Sequence, residues 1–463
     1  MKQLKLTLED IFNLPTAVIY NPDGYRPVSS VSIDSRSIRK NSLFIAVKGE
    51  NFDGHDFVRE AVKKGASSVI ISEKKYNLFA DLNIPVITVK DTVKALGDAA
   101  KLWRKKLDTK IIGITGSAGK TTTKEILAAL LSEKYKVNKT TGNNNNHIGV
   151  PLTLLSTNRR HDYLVLELGT NHFGEIAYTA DIASPDFALI TNIGNSHLEF
   201  LKNKNGVFKE KAALFNSTAG KNGVIFINND DALLKNEMKS YGNKITFGFL
   251  NGSDIKGEIA GFNNNGQTLM NIRYGKKTIT QSLPLYGEQN AKNYLASVAV
   301  ALKAGMNKSE ISAGTLKLKP ADKRLNVKVL RNFILIDDTY NANPDSTRLA
   351  LELLYKIKKY ESKIAVLGDM LELGKQGVRL HKQLAAVIKK NKIDSVYLTG
   401  KLMKHLAGEL KKTKTVFKYF KDRNDLKDFL SGLDIKNSVV LVKGSRGMRM
   451  EDFVKTIEPK AND

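Results

Sequence analysis

Short apolar runs that each end in a glycine-rich or polar turn recur along this chain. Residues 111–114 (Ile-Ile-Gly-Ile) read as a buried strand. Beyond them Ile126, Leu127, Leu130 and Leu131 fall on one stripe of a helix expected over 121–134. Upstream, strands are expected at 31–33, 43–47, 68–71 and 85–89, and helices at 56–64 and 92–105. Downstream, 163–168 and 187–193 read as strands, 205–215 as a helix, and 225–227, 245–249, 267–272 and 277–280 as further strands. A small-residue helix is expected over 291–304. From 333 onward strands at 333–337, 363–367, 395–398, 416–419 and 438–442 alternate with helical patterns, as in a doubly wound sheet.

This pattern divides the chain into three α/β units, in line with roughly one domain per 150 residues. Residues 1–105 form a small α/β unit. Residues 106–318 form a central parallel sheet with a β-rich extension, and 319–463 a Rossmann-like doubly wound unit. No stretch reaches the roughly 18 apolar residues of a membrane helix, and the first ten residues lack a signal-type apolar core. A cytoplasmic protein without an integral membrane segment is expected. The absence of cysteine excludes disulfides, thiolate zinc sites and cysteine nucleophiles. A net charge of +26 favours polyanions. Only 15 of the 73 basic residues are Arg, however, and the lysines are dispersed. A solvated lysine-rich surface, rather than nucleic-acid binding, is the reading.

The candidate chemistry sits where strands end. Residues 113–122 (Gly-Ile-Thr-Gly-Ser-Ala-Gly-Lys-Thr-Thr) follow a strand and open a helix, the context of a phosphate-binding loop. Glycines let backbone amides close on phosphate oxygens at a helix N-terminus. Lys120 would reach the β/γ-phosphates and the Thr121 hydroxyl a Mg²⁺. The glycines stand at Gly113, Gly116 and Gly119, with Ile114 where the standard spacing expects glycine. Glu167 lies near the carboxyl end of its strand and His197 just after the next, both positioned to meet that cation. Lys209 and Lys211 follow on a helix. An ammonium beside Mg²⁺ would be repelled, so these lysines either face phosphates or one is chemically altered to carry negative charge. The loop 140–151, with four successive asparagines, suits hydrogen bonding to sugar and amide groups or is a plain turn. Asn290 suits either a base contact or a helix cap. Further polar clusters follow strands at 34–36, 48–55, 337–344, 368–374 and 443–446.

Taken together, these motifs resemble the Mur ligase family of peptidoglycan synthesis over essentially the whole chain. The shortened loop Thr-Gly-Ser-Ala-Gly-Lys-Thr-Thr at 115–122 looks like that family's ATP loop. The stretches at 142–151, 337–346 and 367–374 resemble the branch that adds D-alanyl-D-alanine to a UDP-N-acetylmuramoyl-tripeptide. The Asp-Asn-Pro-Arg motif usual in the sister that adds the third residue is absent. The resemblance implies an ATP- and Mg²⁺-dependent ligase working through an acyl phosphate, as a monomer. It implies that Gly116, Ser117, Ala118, Gly119, Lys120, Thr121 and Thr122 hold ATP phosphates. Thr121, Glu167, His197 and a carbamylated Lys211 would lie at the metal sites. Asn290 and Asn293 would face adenine, Asp338 the ribose and Arg324 the γ-phosphate. Asp34, Ser35 and Arg36 would bind the uridine nucleotide. Thr141, Asn143, Asn145 and Asn146 would bind substrate, and Tyr340, Asn341, Asn343 and Ser346 would lie near the dipeptide. The rivals are a sister ligase with another amine, a P-loop kinase or ATPase, and a nucleic-acid-binding protein.

Overall fold

The computed structural model describes residues 4–49, 51–263, 267–320 and 323–458. Glu50, inside the 48–55 cluster, and Asp322, just ahead of the Lys323-Arg324 step, lie outside the described residues. Among the described residues the strands form three sheets.

The N-terminal sheet runs in the order Val18–Tyr20, Val86–Val89, Ala66–Ser72, Ser42–Ile45, Ser30–Ser32. All its pairings are parallel except that of the edge strand Val18–Tyr20 with Val86–Val89. The four expected strands are present. Val18–Tyr20 escaped the sequence reading because a three-residue, half-exposed edge carries no buried run. The expected helix at 56–64 is a 3-10 turn, Gly54–Phe57, followed by an α-helix, Val58–Lys63.

The helix Thr92–Arg104 leads out of this unit and packs on the next. Its Trp103 Nε1–H donates to Thr157 O (2.8 Å), and Arg104 pairs with Asp186 (3.0 Å). Gly97 lets this helix and helix Glu175–Ala183 approach closely, a Cβ there falling 2.3 Å from the Tyr178 hydroxyl.

The central sheet has nine strands. From Val137–Lys139 it runs through Tyr163–Glu167, Lys110–Thr115, Phe187–Ile190, Val224–Asn228 and Lys244–Gly248 to Ile255–Phe262, all parallel. The β-rich extension is no separate sheet. Ile255–Phe262, Gln267–Tyr274 and Lys277–Tyr286 continue the same sheet as an antiparallel meander. Burial alternates along Lys277–Tyr286, the signature of a sheet covered on one face, whereas Tyr163–Glu167 is buried almost throughout. The expected strand 187–193 stops at Ile190, because Asn192 turns aside to hold the phosphate loop. The helix expected from 291 begins at Gly287, and Asn290 sits inside its first turn with its amide donating to Tyr286 O (2.9 Å) rather than capping it. Helix Lys308–Leu316 closes the unit and packs on the phosphate-loop helix, with Ile311 and Leu318 in the shared core.

In the C-terminal sheet the order is Asn326–Val329, Ile334–Asp338, Ser438–Lys443, Ser362–Gly368, Ser395–Thr399, Val416–Phe420. Only the edge strand Asn326–Val329 is antiparallel. Ile334–Asp338, Ser438–Lys443 and Ser362–Gly368 are therefore neighbours, and the clusters at 337–344, 443–446 and 368–374 leave the same edge side by side. Among the described residues no helix is long and apolar enough to cross a membrane.

Candidate active site

The strand Lys110–Thr115 ends under a turn whose glycines are sterically required. Gly116 has φ +152°, and a Cβ there would lie 1.9 Å from Thr191 Oγ1. Gly119 has φ +82°, and its Cβ would lie 2.3 Å from Asn293 Oδ1. Ser117 N–H donates to Asn192 O (3.0 Å) and Ala118 N–H to Asn192 Oδ1 (3.1 Å), which ties the loop to the neighbouring strand end. In helix Lys120–Leu131 the Thr123 amide reaches back to Gly119 O (2.8 Å). The amides of Lys120, Thr121 and Thr122 precede that bond and head the helix with positive partial charge. This is an anion site by construction. The Lys120 ammonium lies back over the loop, its Nζ donating to Gly116 O at 2.8 Å. Burial lowers its pKa; the charge on Glu167 opposes the shift and that on Arg324 adds to it.

Glu167 is buried at the end of its strand, and both carboxylate oxygens are engaged. Oε2 accepts the Thr121 hydroxyl (2.8 Å) and Oε1 the Asn145 amide (2.9 Å). Its own N–H donates to Thr140 Oγ1 at 2.9 Å. A lysine the sequence reading passed over, Lys124, is buried beside it. Lys124 Nζ donates to Thr140 O (2.7 Å) and lies 4.0 Å from Glu167 Oε2. The available signal was its position: Lys124 shares a helical stripe with the buried Leu127, Ala128 and Leu131.

His197 has left-handed backbone (φ 52°), and its Nδ1 lies 2.9 Å from Glu372 Oε2 of the C-terminal unit. This contact holds the Glu372 carboxyl below its usual range. Lys211, on helix Lys204–Ala219, is only 1% exposed. Among the described residues its Nζ has no hydrogen-bond or ion-pair partner. Burial lowers its pKa well below the ordinary lysine value, and the nearby Lys120 charge adds to the shift. Its neighbour Glu210 is spent on the N-terminus of helix Glu175–Ala183, accepting Gly174 N–H (2.7 Å) and Ile176 N–H (2.8 Å). Lys209 is exposed.

The facing wall comes from the C-terminal unit. Arg324 stacks its guanidinium 3.8 Å from the Tyr340 ring centroid. Asp338 accepts Lys443 Nζ at 2.6 Å and Leu325 N–H at 3.0 Å, and Lys443 also donates to Asn341 O (2.9 Å). Asn343 and Ser346 form a reciprocal capping box on helix Pro344–Lys356.

Between the walls lies a cleft of about 530 Å³. Ser117, Ala118, Gly119, Lys120, Thr122, Asn145, Asn146, Glu167, His197, Asn290, Asn293, Arg324, Asp338, Tyr340, Asn341, Asn343 and Ser346 all line it. Thr121 turns beneath it toward Glu167. Lys211 stands behind the wall. Thr141 and Asn143 are not part of the lining, and Asn146 Oδ1 is occupied by the Gly149 amide (2.8 Å). Asp34, Ser35 and Arg36 sit apart, after strand Ser30–Ser32. Arg36 chelates Asp34 and holds its pKa at about 2, and Ser35 donates to Glu60 (3.1 Å). Glu372, Lys443 and Lys124 are the residues here that sequence reasoning did not assign. The first two already lay in polar clusters that it singled out.

Three units on one chain and a phosphate loop facing a second nucleotide-fold wall define the class of protein. Residues 27–104 match the catalytic-domain description of the Mur ligase family, 114–301 the Mur ligase middle domain, and 323–446 the Mur ligase glutamate ligase domain. The chain belongs to the Mur ligase family. Within it, the chain is 35% identical over 462 residues to the UDP-N-acetylmuramoyl-tripeptide–D-alanyl-D-alanine ligase of Bacillus subtilis, covering 98% of each chain. It is 34% identical to the Escherichia coli enzyme of the same name, covering 93% of this chain and 94% of that one. Its fold is similar to that of MurF from Acinetobacter baumannii (TM-score 0.87, 30% identity, 99% of both chains). It is also similar to the MurF ligase of Thermotoga maritima in complex with ADP (TM-score 0.81, 30% identity, 92% of this chain and 96% of that one).

Proposed function

We propose that this chain is an ATP-dependent ligase that joins D-alanyl-D-alanine to UDP-N-acetylmuramoyl-tripeptide in peptidoglycan precursor synthesis. The observation that carries the reading is the facing of a helix-heading phosphate loop by a C-terminal wall across one cleft, on a chain similar end to end to such ligases. In this reading residues 1–105 hold the uridine nucleotide through Asp34, Ser35 and Arg36, 106–318 hold ATP, and 319–463 present the dipeptide. All three roles are met within one monomer, in the cytoplasm where ATP and UDP-linked precursors occur.

The chemistry follows from the groups. A carboxylate is a poor electrophile because oxide is a poor leaving group. The terminal carboxylate oxygen of the tripeptide therefore attacks the γ-phosphorus, and ADP departs. The neutral amine of the dipeptide next attacks the acyl carbon of the mixed anhydride, loses its proton, and expels phosphate. The loop amides and Lys120 neutralise phosphate charge from the central wall, and Arg324 does so from the other. Closure of the walls keeps water from the acyl phosphate.

The donors suit Mg²⁺, which prefers oxygens and keeps several waters. The Thr121 hydroxyl and Glu167 carboxylate already touch at 2.8 Å, and among the described residues no cluster of three His, Cys, Asp or Glu forms a complete cage. The ion would screen charge on the phosphate oxygens, held by Thr121, Glu167 and His197. Lys211 belongs to that set as a carbamate: a buried amine without a partner is the form that adds to CO₂, giving a carboxylate-like ligand and releasing a proton. Asn290 and Asn293 would face adenine and Asp338 the ribose. Asn145 steadies the Glu167 carboxylate through its amide and also lines the cleft where substrate would lie.

Incubation with ATP, Mg²⁺, UDP-linked tripeptide and D-alanyl-D-alanine should yield the pentapeptide mass, with phosphate release requiring both the nucleotide peptide and the dipeptide. Phosphate release at an unchanged rate without them would instead indicate a simple ATPase.

A further inference from the structure

The cluster after strand Ser438–Lys443 is not accounted for by ATP, metal or uridine binding, yet it knits the C-terminal wall together. Ser445 N–H donates to Asp369 O (3.0 Å), and its hydroxyl accepts Leu371 N–H (2.8 Å). Arg446 N–H approaches Asn341 Oδ1 at 3.4 Å. These bonds hold the start of a short 3-10 turn, Arg446–Met448, against the Tyr340 loop.

The Arg446 side chain stands free on this rigid base. It is 60% exposed, and one edge is steadied by Glu451, 3.4 Å away. Glu451 also holds Lys323 at 3.3 Å, so its charge is divided between two cations. The rest of the guanidinium fork has no carboxylate among the described residues. The Arg446 guanidinium lies 5.6 Å from the Tyr340 ring centroid, and the Arg324 guanidinium lies 3.8 Å from the same centroid. Two guanidinium groups thus stand around one aromatic side chain.

Resting on the reading above, with Arg324 at the transferring phosphate, we propose that Arg446 is a specificity-determining residue that binds the free carboxylate of the incoming D-alanyl-D-alanine. The dipeptide carries one anionic group, and that group must be kept from the acyl phosphate, which would repel it. Two extended residues span about 7 Å, so the amine and the carboxylate of the dipeptide bind at separate points. With the amine at the phosphate, the carboxylate falls to the other guanidinium beside the cleft-lining Tyr340, that of Arg446. A planar fork matches a carboxylate in two parallel hydrogen bonds, which an ammonium cannot reproduce.

The test compares D-alanyl-D-alanine with its C-terminal amide, D-alanyl-D-alaninamide, in the full chain with ATP, Mg²⁺ and UDP-linked tripeptide. The wild-type chain should prefer the acid by roughly ten- to a hundredfold in kcat/KM, the scale of a charged hydrogen-bond pair. Arg446→Ala should lose that factor on the acid, through the dipeptide KM, and change little on the amide or in the KM of ATP and UDP-tripeptide. Arg446→Lys should fall between. A wild-type chain that uses the amide as well as the acid overturns the proposal. An equal loss on both substrates in Arg446→Ala does so too, because it marks a merely structural role. If the wild type makes no amide-bond product with either amine, the ligase reading itself fails, an outcome distinct from both.

Discussion

Lys443 is buried in the C-terminal wall of the cleft and Lys211 behind the central wall, and they are held in opposite ways. Lys443 sits 2.6 Å from the Asp338 carboxylate and also reaches Asn341 O. Lys211 has no hydrogen-bond or ion-pair partner among the described residues, and burial and Lys120 push its pKa down against the opposing charge of Glu210. The difference extends to the walls. On the C-terminal side Lys443 meets Asp338, Lys323 and Arg446 share Glu451, and Asn343 and Ser346 satisfy each other. On the central side Lys120 rests on a backbone carbonyl and the loop amides head a helix without helical acceptors. One wall is a finished scaffold. The other leaves donors free for an anion, as the proposed site for ATP and a transferring phosphate requires.

Four tests probe this contrast. Lys120→Ala should reduce ligation by about a thousandfold or more, the scale of removing a transition-state charge partner, with the circular dichroism spectrum unchanged. Near-normal turnover would remove Lys120 from the phosphate site. Lys211→Ala should lose roughly a hundredfold or more and regain part of it when acetate is added to fill the vacated space. Lys209→Ala, at an exposed position two residues away, should stay close to wild type. Equal damage at both lysines without rescue would mean that Lys211 acts as a simple cation.

The third test turns from rate to stability. Lys443→Met strands a buried carboxylate and should cost about 3–5 kcal/mol in urea denaturation. Lys211→Met removes an unpartnered buried amine and should be neutral or stabilising by about 1 kcal/mol, while abolishing ligation. Similar losses from both would erase the distinction between the walls. The smallest effect is expected at Asn343→Ala, about 1 kcal/mol from the lost cap, with the KM of ATP unmoved.

Much of the fold was legible because the sheets are largely parallel. Strands covered on both faces, such as Tyr163–Glu167 and Ser438–Lys443, are nearly continuous apolar runs. Val18–Tyr20, Val137–Lys139 and Asn326–Val329 were missed, being short sheet edges with half-exposed side chains. Ile255–Phe262 was missed because its burial alternates and glycines interrupt it. The candidate site was legible as a set of loops, since each polar cluster follows a strand.

By itself the sequence determined what depends on near neighbours. The glycine spacing of the phosphate loop, the helix that follows it, and the polar clusters at strand ends are all written within a few residues of each other. Only the tertiary structure decided the pairings. Asp338 and Lys443 are 105 residues apart, and His197 meets Glu372 across two units. It also decided which of Lys209 and Lys211 is buried, and that Asn145 serves Glu167. The reason is physical: a local pattern fixes backbone geometry, but a side chain's charge state and partner depend on what sheet order and domain packing bring against it.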